Sequence, residues 1–153
     1  MPSPSRRALL AAAALAFCSH AFGASDKGTP DEAMALVKRA IAFMKTNGID
    51  KTVSEVNNPS GKFVDRDLYI MIYDMNGKNL AHGANPKMIG KDLIELKDVD
   101  GVPFIRDRIE IAKTKGSGWQ NYKFTNPVTK NIEPKVLYIE RSGDLIVTSG
   151  AYK

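Results

Sequence analysis

The chain has 153 residues, a formal net charge of +5 and one cysteine, which suits a single domain without a disulfide framework. Its lysines are scattered, without the basic runs interleaved with aromatic residues that mark nucleic-acid surfaces, so no nucleic-acid partner is expected. The cysteine, Cys18, lies in a segment that we expect to be removed, which excludes thiol catalysis and thiolate metal sites from the mature chain.

Residues 1–24 have the pattern of a secretory signal peptide. Arg6 and Arg7 form a positive start, residues 8–17 form a short apolar run, and small residues around Gly23 offer a cleavage site. The apolar run is too short to span a bilayer, and no later stretch approaches that length. The sequence therefore predicts export to the periplasm and a mature chain without a membrane span, and the paired arginines leave the twin-arginine route open.

Two helices are predicted after this segment. Thr29-Pro30-Asp31-Glu32 has the pattern of a capping box with proline at the first helical position, which marks a helix start. Apolar residues then recur at helical spacing until Asn47-Gly48 stops the helix. A second, shorter helix is predicted from Asp50 to about Asn57.

Five strands and one further helix are predicted for the rest of the chain. The first two strands, Asp67–Asp74 and Asn79–Gly83, flank an Asn76-Gly77 hairpin turn. An irregular crossing over Ala84–Val99 then leads to a helix. The helix and the last three strands are predicted at Val102–Lys115, Trp119–Thr125, Lys135–Arg141 and Leu145–Tyr152.

This order predicts an α+β domain over residues 29–153. A five-stranded antiparallel sheet would carry the long N-terminal helix on one face. The connection that contains the third helix would arch over the other face, and a pocket can form under this arch.

The first strand shows the clearest alternation of side chains. Tyr69, Met71 and Tyr73 share one face, and the aliphatic residues Leu68, Ile70 and Ile72 share the other. The aliphatic face suits packing against a helix. The face with tyrosines and methionine, which has hydroxyl groups to satisfy, suits a pocket lining.

Several local motifs follow one another in a characteristic order. They are Tyr69–Asp74 with Asn76-Gly77, Ala81-His82, Asn85-Pro86, Gly90-Lys91-Asp92, Asp98-Val99-Asp100-Gly101, Gly118-Trp119 with Tyr122, Asn126-Pro127, Pro134-Lys135 with Tyr138, and Ser149-Gly150 with Tyr152. In this order and spacing, over about residues 31–152, the chain resembles an extracytoplasmic single Cache domain, a bacterial ligand-sensing module with a PAS-like fold.

The resemblance implies non-catalytic binding of a small ligand. Such domains usually lie between two membrane helices of a chemoreceptor or histidine kinase. With a cleavable signal in front and an end at Lys153, this sequence predicts a free-standing domain instead. We expect it to act with a separate sensor kinase, chemoreceptor or transporter component.

The ligand that the resemblance implies is a small carboxylate, such as a short organic acid or an amino acid. A carboxylate site needs cationic or neutral donors in partly desolvated surroundings. Lys135, on the second of the last three strands, and Arg106, on the arch helix, are the candidate cations. Tyr138 faces away from Lys135 if the strand is regular, so both contact one ligand only if the strand bends near Pro134 or Lys135 acts from the rim.

The remaining candidate ligand contacts are side chains on or beside the sheet. They are Tyr69, Met71, Tyr73, His82, Trp119 and Tyr122. His82 can contact a ligand or brace the crossing, and Trp119 can wall the pocket or anchor the sheet. Both alternatives remain open from sequence.

No pattern in the sequence calls for catalysis. It has no nucleophile elbow, haem-attachment cysteine pair, phosphate-binding glycine loop or paired carboxylates, so we expect no catalytic residues and no cofactor. One histidine in the mature chain does not build a zinc site, and Asp98 and Asp100 lack the other ligands of a calcium loop, so no metal is expected. Two alternatives to ligand sensing are a protein-interaction module with a vestigial pocket and a small periplasmic enzyme.

Overall fold

The structure, a computed structural model, describes residues 26–153. The predicted signal peptide, residues 1–24, therefore lies outside the described residues. Within residues 26–153, no helix combines the length and the apolar character needed to cross a membrane.

The chain begins with two helices, α1 (Pro30–Asn47) and α2 (Ile49–Val56). The predicted capping box at the start of α1 is confirmed. The Glu32 backbone N–H donates to the Thr29 hydroxyl at 3.2 Å, and the Thr29 N–H donates to the Glu32 carboxylate at 2.8 Å. These two bonds satisfy donors that the first helical turn leaves without partners.

A five-stranded antiparallel sheet follows, as the sequence predicts. Its strands lie in the order β4-β3-β7-β6-β5. The elements after α2 are β1 (Val64–Asp65), β2 (Leu68–Tyr69), β3 (Met71–Asp74), β4 (Asn79–His82), a short 3-10 helix (Pro86–Met88), α3 (Phe104–Lys115), β5 (Ser117–Thr125), β6 (Ile132–Ser142) and β7 (Leu145–Tyr152). The crossing between β4 and β5 carries α3, and we call residues 84–115 the arch.

Several element bounds differ from the sequence prediction, and β6, for example, runs over Ile132–Ser142 instead of Lys135–Arg141. The predicted strand over 67–74 is divided at Ile70, whose N–H donates to Phe63 and whose carbonyl accepts from Gly83. The first part, β2, pairs with β1 in a separate two-stranded ribbon. Helix α3 begins at Phe104, two residues later than predicted, because Pro103 disfavours helical backbone in the residue before it.

Each face of the sheet packs a separate core, which confirms the predicted alternation on the first strand. Leu68, Ile70 and Ile72 belong to a cluster with the buried side of α1. Tyr69, Met71 and Tyr73 belong to a second cluster, which includes the buried side of α3. The α1 side is closed by aliphatic packing, whereas the arch side contains hydroxyl groups.

Asp98 fastens the arch to the edge strand β5. Its carboxylate accepts hydrogen bonds from the backbone N–H groups of Asp100, Val102 and Lys123, each at 2.9 Å. Burial alone would raise the pKa of this carboxyl, but the three bonds outweigh burial and lower it. The Asp98 carboxylate is therefore explained by backbone hydrogen bonding, and that of Asp100 by its ion pair with Lys123.

The first prediction concerns this fastening. Asp98→Ala should lower the free energy of unfolding by about 1.5–3 kcal/mol, because it removes hydrogen bonds to a charged group. Asp100→Ala is the matched control, since it breaks only the exposed ion pair with Lys123 and should change stability by less than about 1 kcal/mol. Urea unfolding of both variants measures the difference, and equal effects would contradict the role given to Asp98.

Candidate ligand-binding site

Lys135 is fully buried on the arch side of the sheet. It lies on β6 opposite Tyr152 of β7 and Tyr122 of β5. Its Nζ donates to the hydroxyl of Tyr69 at 2.9 Å and to that of Tyr152 at 3.3 Å. The same atom lies 4.0 Å from the ring centroid of Tyr69 and 4.5 Å from that of Tyr152. The Lys135 amine is therefore held by two phenol oxygens and two aromatic faces.

The two phenols have a defined direction of hydrogen bonding. The Tyr152 hydroxyl donates to the Thr125 carbonyl at 2.7 Å, and the Tyr69 and Tyr152 oxygens lie 3.1 Å apart. Because the Tyr152 proton is already used, Tyr69 donates to Tyr152, and both oxygens accept from Lys135. Burial raises the pKa of both phenols, which keeps them in the neutral form.

Gly150 makes room for the Lys135 side chain. A Cβ atom at this position would lie 2.9 Å from the Lys135 Cε atom and 2.6 Å from the Val136 carbonyl oxygen. Since a real Cβ does not approach backbone so closely, only glycine lets Lys135 cross the neighbouring strand.

A second buried cation, Arg108, enters the same core from α3. Its side chain is 1% exposed, and the Nε and Nη2 atoms lie 3.4 and 3.5 Å from the Gln120 side-chain oxygen. The guanidinium carbon lies 5.0–5.5 Å from the ring centroids of Tyr73, Phe104 and Tyr122. The Nη1 atom is buried and has no hydrogen-bond partner among the described residues.

We call Lys135, Arg108 and the side chains that contact them the cation cluster. Its other members are Tyr69, Tyr73, Phe104, Gln120, Tyr122 and Tyr152. Burial raises the pKa of Tyr122 to about 12, although the Arg108 charge opposes this shift. The cluster thus places two basic side chains among neutral rings and hydroxyls.

The cation cluster holds no acid that pairs with either cation. No ion pair within residues 26–153 includes Lys135 or Arg108. Asp67 is the nearby buried carboxylate, but it accepts from the Gly28 N–H at 2.7 Å and from the Asn126 amide at 3.4 Å. Burial and the Arg108 charge hold the pKa of Lys135 well below its usual value, and Asp67 only partly offsets them.

His82 adjoins the cluster as a neutral ring. It stacks on Tyr69 with centroids 5.1 Å apart, and its Nδ1 accepts from the backbone N–H groups of Ala84 and Asn85. Burial, together with the charges of Lys135 and Arg108, lowers the pKa of His82 to about 3. Because Nδ1 is an acceptor, the neutral ring carries its proton on Nε2, where it is a donor.

A cavity of about 430 Å³ opens beside the cluster. It lies between the 84–88 segment of the arch and the β5–β6 loop, and Tyr69 and His82 form part of its wall. Lys135 does not line this cavity, but its ammonium is bonded to Tyr69, which does. From this cavity a ligand would therefore reach Tyr69, which holds Lys135 on its other side.

Six of the predicted ligand contacts lie together on the arch side. They are Tyr69, Met71, Tyr73, His82, Tyr122 and Lys135. The Met71 sulfur accepts from the Tyr73 hydroxyl at 3.5 Å, which orders that ring beside Arg108. Their ligand contacts remain predictions, but their proximity is a feature of the fold.

Three other predicted contacts lie elsewhere. Arg106 is exposed and paired with Glu95 on the outside of α3, because the helical turn directs it away from the sheet. Trp119 is 42% exposed and contacts Tyr138 on the α1 side, with centroids 5.0 Å apart. The Tyr138 hydroxyl donates to Glu140 there. Since β6 is regular, Tyr138 and Lys135 face opposite sides, and the structure does not bring these three residues to the cluster.

Sequence reasoning missed four members of the cation cluster, namely Phe104, Arg108, Gln120 and Tyr152. Arg108 carried a usable signal. It falls on the same helical stripe as the buried Ile105, Ile109 and Ala112 of α3, and a charged residue within an apolar stripe is a functional candidate. Within residues 26–153, no group of histidine, cysteine and acidic side chains could hold a metal ion.

The family of the chain follows from comparison with known proteins. A model of the family described as single Cache domain 2 matches residues 20–152. The chain therefore belongs to the single Cache domain family. Domains of this family are typically extracytoplasmic and generally non-catalytic, and they form ligand-binding parts of chemoreceptors and sensor kinases.

Two curated relatives are longer signalling proteins. The methyl-accepting chemotaxis protein McpP of Pseudomonas putida is 31% identical over 90 residues, which cover 58% of this chain and 16% of the relative. The sensor histidine kinase MctS of Rhizobium johnstonii is 32% identical over 74 residues, which cover 48% of this chain and 16% of the relative. The chain thus matches about a sixth of the length of each relative.

Solved structures share the fold. A methyl-accepting chemotaxis protein from Vibrio parahaemolyticus superimposes with a TM-score of 0.68 at 26% identity, over 80% of this chain and 86% of that chain. A Cache chemosensory domain whose structure describes carboxylic acid recognition has a TM-score of 0.67 at 23% identity. The match covers 80% of this chain and 91% of that chain.

The second prediction tests the passage of Lys135 over Gly150. Gly150→Ala should lower the free energy of unfolding by about 1–3 kcal/mol, because the added methyl group overlaps a carbonyl and the lysine stem. Ser149→Ala is the neighbouring control. The Ser149 hydroxyl is buried without a partner among the described residues, so its removal should change stability by less than about 0.5 kcal/mol. Similar losses in both variants, measured by urea unfolding, would contradict this interpretation.

The third prediction concerns His82. Its folded-state pKa of about 3 lies below the usual value of about 6.5, so the unfolded state binds a proton first as pH falls. The stability that His82 contributes should be complete above about pH 6.5 and lost as pH falls towards 3. In ¹H–¹³C spectra, the His82 ring should remain neutral at pH 5, and titration near pH 6.5 would contradict the buried neutral ring.

Proposed function

We propose that the protein is a periplasmic, non-catalytic receptor domain that binds a short organic acid at the cation cluster. The observation that carries this proposal is the pair of fully buried basic side chains, Lys135 and Arg108, without an acidic partner among the described residues. An unpaired charge in a protein interior is strongly unfavourable. A carboxylate ligand would supply the missing charge.

Both cations have hydrogen-bonding capacity left for a ligand. The Arg108 Nη1 is a buried donor without an acceptor within residues 26–153. A lysine ammonium has three N–H groups, and in the described part of the chain Lys135 uses two of them, on Tyr69 and Tyr152. Charge-assisted bonds from these groups to a carboxylate are stronger than bonds between neutral partners.

The charges of the cluster favour an organic acid over an amino acid. The α-ammonium group of an amino acid would add a third positive charge beside Lys135 and Arg108. Asp67, the nearby buried carboxylate, already accepts bonds from Gly28 and Asn126. An acid with a neutral, compact remainder suits the aromatic walls formed by Tyr73, Tyr122 and Tyr152.

The family context supports this ligand class. The structural neighbour whose carboxylic acid recognition has been described has the same fold as this chain. Here the ligand would enter through the cavity at Tyr69 and His82, and the His82 Nε2–H would offer a neutral donor on the way. A shift of the Tyr69–Lys135 contact would open the buried cluster.

The bound state would be passed to another protein. The curated relatives are a chemoreceptor and a sensor histidine kinase, so a signalling protein of this kind is the proposed partner, with a transporter component as the other candidate. Export by a cleavable signal over residues 1–24 would place the domain where external acids arrive.

The fourth prediction tests acid binding with two arginines of one helix. In a thermal-shift screen of short carboxylates and their amides, an acid at about a hundredfold excess over Kd should stabilise the protein by about 2.7 kcal/mol, which is a shift of about 5–10 °C. The matching amide should have no effect. Arg108→Met and Lys135→Met should each remove the shift, whereas Arg106→Met should retain it, because Arg106 is exposed.

The unliganded midpoints provide an internal check. A buried cation without an acidic partner is costly to desolvate, and Arg108→Met removes this cost, so the variant without acid should melt at or above the wild-type temperature. Loss of the acid response with retained stability separates a binding role from a folding role. If no carboxylate shifts a well-folded wild-type protein, or if Arg106→Met rather than Arg108→Met removes the shift, the proposed site is wrong.

A further inference from the structure

The charged and titratable groups around Lys135 come from every element packed against it. They are Tyr69 of β2, His82 of β4, Arg108 of α3, Tyr122 of β5, Tyr152 of β7, and Asp67 just before β2. The phenols and the histidine ring are neutral, Arg108 is a cation, and Asp67 is bonded to other groups. The balance around Lys135 is therefore positive before any ligand is bound.

Lys135 itself has no exposure to water through which a charge could be hydrated. Its two hydrogen-bond partners are phenol oxygens at 2.9 and 3.3 Å, which accept equally from a neutral amine. A buried lysine in such surroundings favours the neutral form, because desolvation and a nearby like charge both act against the ammonium. In agreement with this geometry, the pKa of Lys135 is held well below its usual value.

A carboxylate that enters the cluster reverses this balance. The anion cancels the Arg108 field and offers a direct acceptor for the third Lys135 hydrogen. An opposite charge within about 4–6 Å favours the charged form of a titratable group. The bound anion then favours protonation of Lys135 over protonation of the other groups in the cluster. His82 already uses Nδ1 as an acceptor, and the phenols already carry their protons.

We propose that the site takes up its ligand as a carboxylate together with one proton, which comes from solvent and ends on the amine of Lys135. This inference rests on the proposed function, because it requires acid binding at the cation cluster. The step balances: a carboxylate, a proton and a neutral amine become an ion pair of carboxylate and ammonium, and no covalent bond other than the new N–H is formed. The domain therefore binds the equivalent of the uncharged acid.

The proton makes the receptor sensitive to pH as well as to acid concentration. Where Lys135 is neutral in the free site and charged in the complex, the observed Kd should rise about tenfold for each unit of pH. Towards lower pH the dependence should level off, because Lys135 then carries its proton before the ligand arrives. A given amount of acid would thus be detected more readily in acidified surroundings.

The fifth prediction is measured by calorimetry on the purified protein. Titration with propionate at pH 8, in phosphate and in Tris buffer, separates the heat of binding from the heat of buffer ionisation. The difference should correspond to uptake of nearly one proton for each propionate bound. The affinity should fall by about tenfold between pH 8 and pH 9.

Assignment of the proton to Lys135 needs a direct readout. In protein labelled with ¹³C at the lysine Cε, the Lys135 signal should move from the position of a neutral amine to that of an ammonium when propionate is added. The signal is identified by its absence from Lys135→Arg. The signals of the exposed Lys87 and Lys130 should not change their charge state, and they serve as internal controls within the same spectrum.

The outcomes distinguish this inference from the proposed function. Binding of propionate without proton uptake, or with a Kd that is constant between pH 6 and pH 9, would overturn proton coupling and leave acid binding intact. Proton uptake with an unchanged Lys135 signal would also overturn it. If neither propionate nor any other short carboxylate binds, both the proposed function and this inference fail.

Discussion

The burial of Lys135 between Tyr69 and Tyr152 is the constraint on which the arch side of this domain depends. The contact joins β2, β6 and β7 through one nitrogen atom, and it requires glycine at position 150. Within residues 26–153 this amine is fully buried and pairs with no acid. Under the proposed function, a carboxylate would supply the opposite charge that these surroundings do not offer.

The two faces of the sheet are packed with different kinds of side chain. The α1 face is packed with aliphatic residues such as Leu36, Ile70 and Ile72, and burial of this kind is the main favourable term in folding. The opposite face contributes less of this favourable free energy, because it buries Lys135 and Arg108. Because the sheet is already supported from the α1 side, the arch side can hold buried basic groups that are unfavourable for folding.

The sequence predicts elements better than it predicts which side chains meet. Local signals placed the capping box, the hairpin turns and the alternation of Tyr69, Met71 and Tyr73, because each depends on neighbours in the chain. Successive side chains of a strand point to opposite faces, so Trp119 and Tyr122, which are three residues apart on β5, face opposite sides of the sheet. The choice between Arg106 and Arg108 depends on the phase of α3 against a sheet formed by distant segments. Burial of Arg108 relies on Gln120 and on Tyr73, which no local pattern connects to it.

The hydrogen bond between Lys27 and the Lys153 carbonyl, 3.1 Å long, shows that the two ends of the described chain meet. Lys27 also pairs with Glu133 at the start of β6, and Tyr152 of the cation cluster is the residue before Lys153. A domain with adjacent ends can be inserted into a loop of a host protein without separating the flanking halves of that loop. Such an insertion would place the junction one residue from Tyr152 of the cation cluster, so the host would be attached close to the proposed ligand site.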